Sequence, residues 1–257
     1  MNSIQIWNAF YTLAYKEVIR VLRIWQQTLL PPVITMGIYF VVFGSFLGNR
    51  IHEFNGVPYI QFILPGLMMM TTINNAFSNV ASSFFSNKFQ RSVEELLVAP
   101  IPDWVVVIGY VSGGVIRGVI TGILVALVGL IFTSVRVVHP VLALLLMTLT
   151  ASFFSLAGLI NGVLARKFDD VSIVPVFILT PLTYFSGVFY SIEQLPAAWR
   201  PISRANPIYL MVDGFRQCML AVGDTNMTLD FGVLLVCNVV LLLIALRLFR
   251  KGIGLRS

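Results

Sequence analysis

Six mostly apolar stretches of about 20 residues or longer recur along the chain, at about 28–47, 59–84, 104–132, 140–164, 171–190 and 229–247. Each is long enough to cross the roughly 30 Å hydrocarbon core of a bilayer as a helix. Short polar or proline-bearing connectors separate them, apart from one long segment at about 191–228. No Ser/Gly-rich linker or run of charge divides the chain. The pattern predicts an all-α membrane protein of one domain, residues 1–257, with six transmembrane helices.

Residues 1–24 follow a different period. Ile4, Trp7, Tyr11, Ala14, Val18 and Leu22 recur at helical spacing, with Gln5, Asn8, Thr12, Lys16, Arg20 and Arg23 on the other face. With no basic start, no unbroken apolar core and no small-residue cleavage site, the segment does not read as a secretory leader. An aromatic face opposite a basic one suits an amphipathic helix lying in the membrane interface. The other reading is an amphipathic helix packed on protein. Pro31 and Pro32 mark the bend into the first span.

Composition agrees with this pattern. The chain is 58% hydrophobic and only 11% charged, against about 45–50% and about 25% in soluble domains. That leaves too little charge to cover a soluble enzyme, and it excludes a disordered chain or a nucleic-acid-binding domain with a broad basic surface. The net charge of +6 is therefore read by position. With the N-terminus in the cytoplasm, the inside segments hold Lys16, Arg20, Arg23, Lys88, Arg91, Arg166, Lys167, Arg247, Arg250, Lys251 and Arg256. The outside segments hold Arg50, Arg136, Arg200, Arg204 and Arg216. Eleven against five favours both termini inside. Cys218 and Cys237 differ in setting, the second alone lying within an apolar run, so no disulfide is expected between them. His52 and His139 sit in different loops without a metal-ligand spacing.

Two spans carry polar features. In the second, Thr71, Thr72, Asn74, Asn75, Ser78, Asn79, Ser82, Ser83 and Ser86 form a stripe at three- and four-residue steps, opposite Ile73, Phe77, Val80 and Phe84. Amides facing lipid would go unsatisfied, so this face meets another helix or lines a path. The third span carries small-residue rows, Gly109/Gly113 and Gly114/Gly118/Gly122, which let helices approach closely. Arg117 continues the first row near the middle of that span. A central arginine costs about 2.5–3.5 kcal/mol on insertion scales, so it faces protein or a cavity. It is either a structural group bonded to helix carbonyls or a contact for a polar or anionic substrate, or a gate.

Several motifs are missing. No Asp or Glu lies near the centre of a span, and Asp103 is at a span edge. Ion-coupled carriers place an acid or broken-helix carbonyls there, and Pro175 and Pro181 leave a broken fifth span open. The four lysines follow Tyr15, Asn87, Arg166 and Arg250, so there is no Gly-Lys of a Walker A loop. HExxH, GxSxG and a paired-carboxylate constellation are also absent. The chain does not read as an enzyme.

The connector 87–101 carries Ser92 followed by Glu95, a capping-box pattern, then Leu96 and Leu97, with Pro100 and Pro102 as stops. A short stiff helix is expected. Its run Arg91-Ser92-Val93-Glu94-Glu95-Leu96-Leu97-Val98-Ala99-Pro100 resembles the cytoplasmic motif of the type-2 ATP-binding-cassette (ABC-2) export permeases. Also similar are the run from Pro181 to Tyr190, then Leu195-Pro196, Asn206-Pro207 and Phe215-Arg216. The resemblance covers essentially the whole chain. Within the family it reaches small inner-membrane permeases of enteric bacteria with no assigned substrate, and permeases that export nodulation lipo-oligosaccharides and drugs.

The resemblance implies a half-transporter in the bacterial cell inner membrane. Two copies would form the path as a homodimer, and two separate ATPase subunits would bind ATP and Mg, leaving this chain without a cofactor. Loop 87–101 would be the coupling loop, with Arg91, Glu94, Glu95, Leu96, Leu97 and Pro100 as its ATPase contacts. The segment 191–228 would dip into the outer leaflet as short re-entrant helices. The second and fifth spans would line the path through Asn75, Asn79, Ser82, Thr180, Thr183 and Tyr190, with Arg117 beside them, for an amphipathic or glycolipid-like substrate. The alternative from another class is an ion-coupled secondary transporter or channel working without an ATPase.

Overall fold

The computed structural model describes residues 2–47 and 56–254. Arg50, His52 and Arg256, placed above in loops or tails, lie outside the described residues. Within them the molecule is a helical bundle. Helix α1 (Ser3–Arg23) starts at Asn2, whose backbone N–H donates to Gln5 Oε1 at 3.0 Å. Ile4, Trp7, Tyr11, Tyr15 and Leu22 stay exposed, while Leu13, Glu17 and Val21 are buried. The packing line is thus the narrow strip between the two faces of the sequence pattern, and the aromatic face remains outward.

Helix α2 (Trp25–Thr28) and helix α3 (Leu30–Tyr39) follow. Pro31 and Pro32 sit in the first turn of α3, where a missing N–H costs no helical bond. A π-helical turn, Phe40–Leu47, extends it. Helix α4 (Tyr59–Phe89) forms the centre of the bundle, flanked by α6 (Asp103–Phe132) and α7 (Pro140–Leu164). The glycine rows of α6 face two ways. Gly109 and Gly113 meet Leu13 and Glu17 of α1, whereas Gly114 and Gly118 meet Val80 and Ala76 of α4. A Cβ at Gly113 would lie 2.7 Å from Glu17 Cβ.

Among the described residues, four helical segments are long and apolar enough to cross a membrane: Trp25–Gly44, Asp103–Phe132, Pro140–Leu164 and Met227–Lys251. The other two expected spans depart from that criterion for physical reasons. Helix α4 has 31 residues, ample length, but its Thr/Asn/Ser stripe lowers its apolarity. Protein covers most of α4, so it needs no lipid-facing side chains.

The fifth expected span, 171–190, ends early. Helix α8 (Phe168–Val174), a π-helical turn at Pro175–Leu179 and α9 (Thr180–Tyr184) run on continuously, and then the helix stops. Gly187 adopts a left-handed φ of 71°. The carbonyls of Leu182 and Gly187 are claimed by Asn206 Nδ2 at 2.6 Å and Arg216 Nη2 at 2.7 Å. These tertiary bonds replace the helical ones.

The long connector contains a 3-10 turn at Ile192–Gln194, α10 (Arg200–Arg204) and α11 (Pro207–Leu220). Helix α11 packs on α4 and α7 and is buried along most of its length, and α12 (Met227–Lys251) closes the chain. Cys218 is buried, Cys237 half-buried, and both are free thiols.

Candidate functional site

The polar stripe of α4 meets two arginines and one carboxylate. Arg20 of α1 donates from Nη2 to Glu17 Oε2 and to Asn79 Oδ1, each at 2.9 Å. Ser83 Oγ lies 2.9 Å from both oxygens of Glu17, which is buried to 1% exposure. Arg117 of α6 donates to Asn75 Oδ1 at 3.1 Å, Asn79 Oδ1 at 3.4 Å and the Thr28 carbonyl at 3.4 Å. Among the described residues its Nε is buried with no acceptor, and Asn79 Nδ2 is likewise buried without one. So Asn75, Asn79 and Arg117 come together, with the amino-terminal segment as their neighbour.

Ser82 lies one turn away and is exposed, its hydroxyl donating to the Ser78 carbonyl at 2.6 Å. It borders an open cleft of about 380 Å³ together with Arg117 and with Val171, Ser172 and Val176 from α8 and the turn after it. The other expected path residues stand apart from this cleft. Thr183 is buried and donates to the Leu179 carbonyl at 2.7 Å. Thr180 is exposed and donates to the Pro175 carbonyl at 2.9 Å. Tyr190 lies past the helix end, and its hydroxyl donates to the Tyr184 carbonyl at 2.8 Å.

At one end of the bundle α4 runs into a projecting stub, α5 (Ser92–Val98). The expected capping box does not form. Arg91 is the N-cap residue, in left-handed conformation with φ 62°, and no side chain caps the helix. Only Gln90 and Arg91 separate α4 from α5, so the chain reverses at Arg91 and Ser92 already falls inside the helix. Lys88 Nζ donates to the Val163 and Ala165 carbonyls, both at 2.7 Å, and so anchors the end of α4 to the end of α7.

The stub is seated by Val93, which is buried in a cluster with Phe84, Val106, Tyr110 and Phe249. Arg91, Glu94, Glu95, Leu97 and Pro100 are exposed, and Leu96 is half-buried. Leu96 and Glu95 border a cavity of about 510 Å³ shared with Asn8, Thr12, Lys16 and Tyr110. Val98, at 86% exposure, is more outward than either leucine and carries no charge.

Sequence reasoning missed two groups. Glu17 belongs to neither face of the α1 pattern, although it falls four residues from Leu13 and Val21, which are also buried. That Leu-Glu-Val line was the available signal. The second group lies at the opposite end, where Arg216 stacks 3.9 Å from the Phe62 ring centre and faces Asp213 Oδ1 at 3.6 Å. Their spacing of three residues on one helix was visible, but not their burial.

Comparison with known proteins covers the whole bundle. The family model described as ABC-2 type transporter matches residues 8–220. The chain is 53% identical over 251 residues to Inner membrane transport permease YadH of Escherichia coli (strain K12), covering 98% of both chains. It is 25% identical over 252 residues to Nodulation protein J of Rhizobium leguminosarum bv. viciae, covering 98% of this chain and 95% of that one. Nodulation protein J of Rhizobium meliloti (strain 1021) is 25% identical over 251 residues, 97% and 93% of the two chains.

Proposed function

This chain belongs to the ABC-2 type transporter family, and on that premise we propose that it is the membrane-spanning permease subunit of an ATP-binding-cassette exporter in a bacterial inner membrane. In this reading α4 and the run from α8 to α9 join the four apolar segments to make six spans. Helix α1 lies along the interface with its aromatic face in lipid, and the connector before α12 dips into the outer leaflet. Both termini are cytoplasmic. Two copies form the path, and two separate ATPase subunits bind ATP and Mg and drive it. The chain supplies path and lever, and no bond-making chemistry.

The observation that carries the reading is the α5 stub. Leu97 and Val98 are 38% and 86% exposed, yet the stub is seated by the buried Val93 and follows directly on α4, whose end Lys88 ties to α7. Outward apolar side chains on a rigid mount suit a docking lever for a soluble partner better than a free loop. Movement of such a lever would tilt α4, and with it the polar stripe holding Asn75, Asn79 and Arg117.

The test uses the permease reconstituted with its ATPase, sought as an adjacent reading frame with a Walker A motif and no apolar spans. Val98→Asp should abolish transport-coupled ATP hydrolysis while leaving thermal stability within about 0.5 kcal/mol, because the side chain touches little of its own protein. Glu95→Arg should uncouple as well. Substrate movement by the purified chain alone, driven by an ion gradient, would refute the reading.

A further inference from the structure

We propose that the cleft beside Arg117 receives the acidic headgroup of an amphiphile, a phosphate or carboxylate carried on an apolar tail, and that this is the class of substrate moved. The proposal rests on the permease reading above and deepens it.

The argument begins with charge balance. The cluster contains one carboxylate and two guanidiniums. Glu17 is committed to Arg20 and the Ser83 hydroxyl. Arg117 forms no ion pair among the described residues. Its acceptors are two amide oxygens and a backbone carbonyl, at 3.1–3.4 Å, long for bonds from a charged donor, and its Nε has none. A cation in an apolar bundle is costly unless paired, and such residues mark substrate paths. The missing partner is an anion.

The surroundings set the rest of its chemistry. Arg117 borders the 380 Å³ cleft, within the roughly 300–1,000 Å³ typical of small-ligand sites. Ser78, Ser82 and Ser172 place hydroxyls around it, and Val171 and Val176 form apolar walls. Next to these in the chain, Ile173 and Phe177 also expose apolar surface, available to an alkyl tail. A cationic amphiphile would be repelled by Arg117, and a neutral one would leave its charge uncompensated.

The experiment measures equilibrium binding to the purified chain in dodecyl maltoside micelles, without the ATPase, so its outcome is separate from the coupling test. The probe is a dialkyl phosphate, compared with an uncharged diacylglycerol and with inorganic phosphate. The expected result is at least about tenfold tighter binding of the dialkyl phosphate than of diacylglycerol, with that preference lost in Arg117→Gln and largely kept in Arg117→Lys. Ser82→Leu, which fills the cleft and leaves the arginine's partners in place, should also abolish binding, so the proposal stays testable if Arg117→Gln folds poorly. Equal binding of the uncharged lipid, or an unchanged preference in Arg117→Gln or Ser82→Leu, would overturn it. Inorganic phosphate competing as well as the dialkyl phosphate would overturn the amphiphile assignment. Loss of dimer in Arg117→Gln with lipid preference intact would make the anion a carboxylate of a second copy, and would overturn it too.

Discussion

Arg20 and Arg117 aim their guanidiniums at the same atom, Asn79 Oδ1, at 2.9 and 3.4 Å. One comes from the amino-terminal helix and the other from the middle of α6, so a single neutral amide ties α1, α4 and α6 together. Two positive charges converging on one uncharged acceptor make Asn79 the most informative position in the cluster.

Substituting it in two directions gives opposite outcomes. Asn79→Asp places a carboxylate between the arginines and removes the buried, unpartnered Nδ2. It should raise stability by about 1–3 kcal/mol, the range for hydrogen bonds to charged groups, and weaken anionic-amphiphile binding by supplying the charge internally. Asn79→Leu removes the acceptor the two guanidiniums share, leaving Arg20 with Glu17 and Arg117 with Asn75, and should cost about 1–3 kcal/mol. Thermal unfolding in detergent measures both. Equal destabilisation by the two variants would mean the cluster is not short of negative charge.

Helix approach gives a second contrast. A Cβ at Gly158 of α7 would collide with the Phe77 carbonyl of α4. Backbone cannot swing aside as a side chain can, so Gly158→Ala should push the two helices apart and cost about 1–3 kcal/mol. Gly232 lies in α12 with nothing within 4 Å of its would-be Cβ. There Gly232→Ala should stabilise by about 0.5–1 kcal/mol, from helix propensity alone. Unfolding midpoints of the two variants, measured side by side, check the pair, and a loss at Gly232 would point to a partner surface on α12.

Features whose cause is local were legible in the sequence. Pro140 opens α7 where expected, the helical period of α1 was visible from Ile4 to Leu22, and both glycine rows of α6 turned out to be contact faces. The stripe on α4 was read as a face that meets another helix or lines a path, and Asn75, Asn79 and Ser83 meet side chains of α1 and α6. What stayed hidden depends on partners distant in the chain. Glu17 is buried because Ser83, 66 positions away, receives it. Helix α9 ends at Tyr184, and Asn206 and Arg216 claim carbonyls 24 and 29 positions back. The Ser92 box failed because the reversal at Arg91 started the helix one residue early. The residues of the α4 stripe and the α5 stub were visible as types and spacings. Which of them meet was set by tertiary contacts.

The far end of the bundle supplies a pH-dependent prediction. Asp213 Oδ2 accepts the backbone N–H groups of Asp224 and Thr225 at 2.9 Å each and Gln217 Nε2 at 3.1 Å, while Oδ1 faces Arg216. Asp213 and Arg216 are both almost fully buried, so Asp213→Asn should cost about 3–5 kcal/mol by leaving the arginine unpaired. Asp224, in the loop between α11 and α12, is different. Partial burial pushes its carboxyl above the ordinary carboxylate value, and the neighbouring charges of Asp213 and Glu193 push it further. The folded state then holds the Asp224 proton more tightly than the unfolded chain does. Its contribution therefore favours folding below the ordinary carboxylate value and declines as pH rises through the raised one. Asp224→Asn removes that decline. In unfolding curves taken from pH 4 upward, the variant should gain on the wild type across the window just above the ordinary value and then keep a constant lead. Parallel profiles would show that Asp224 holds its proton no more tightly in the folded chain than in the unfolded one.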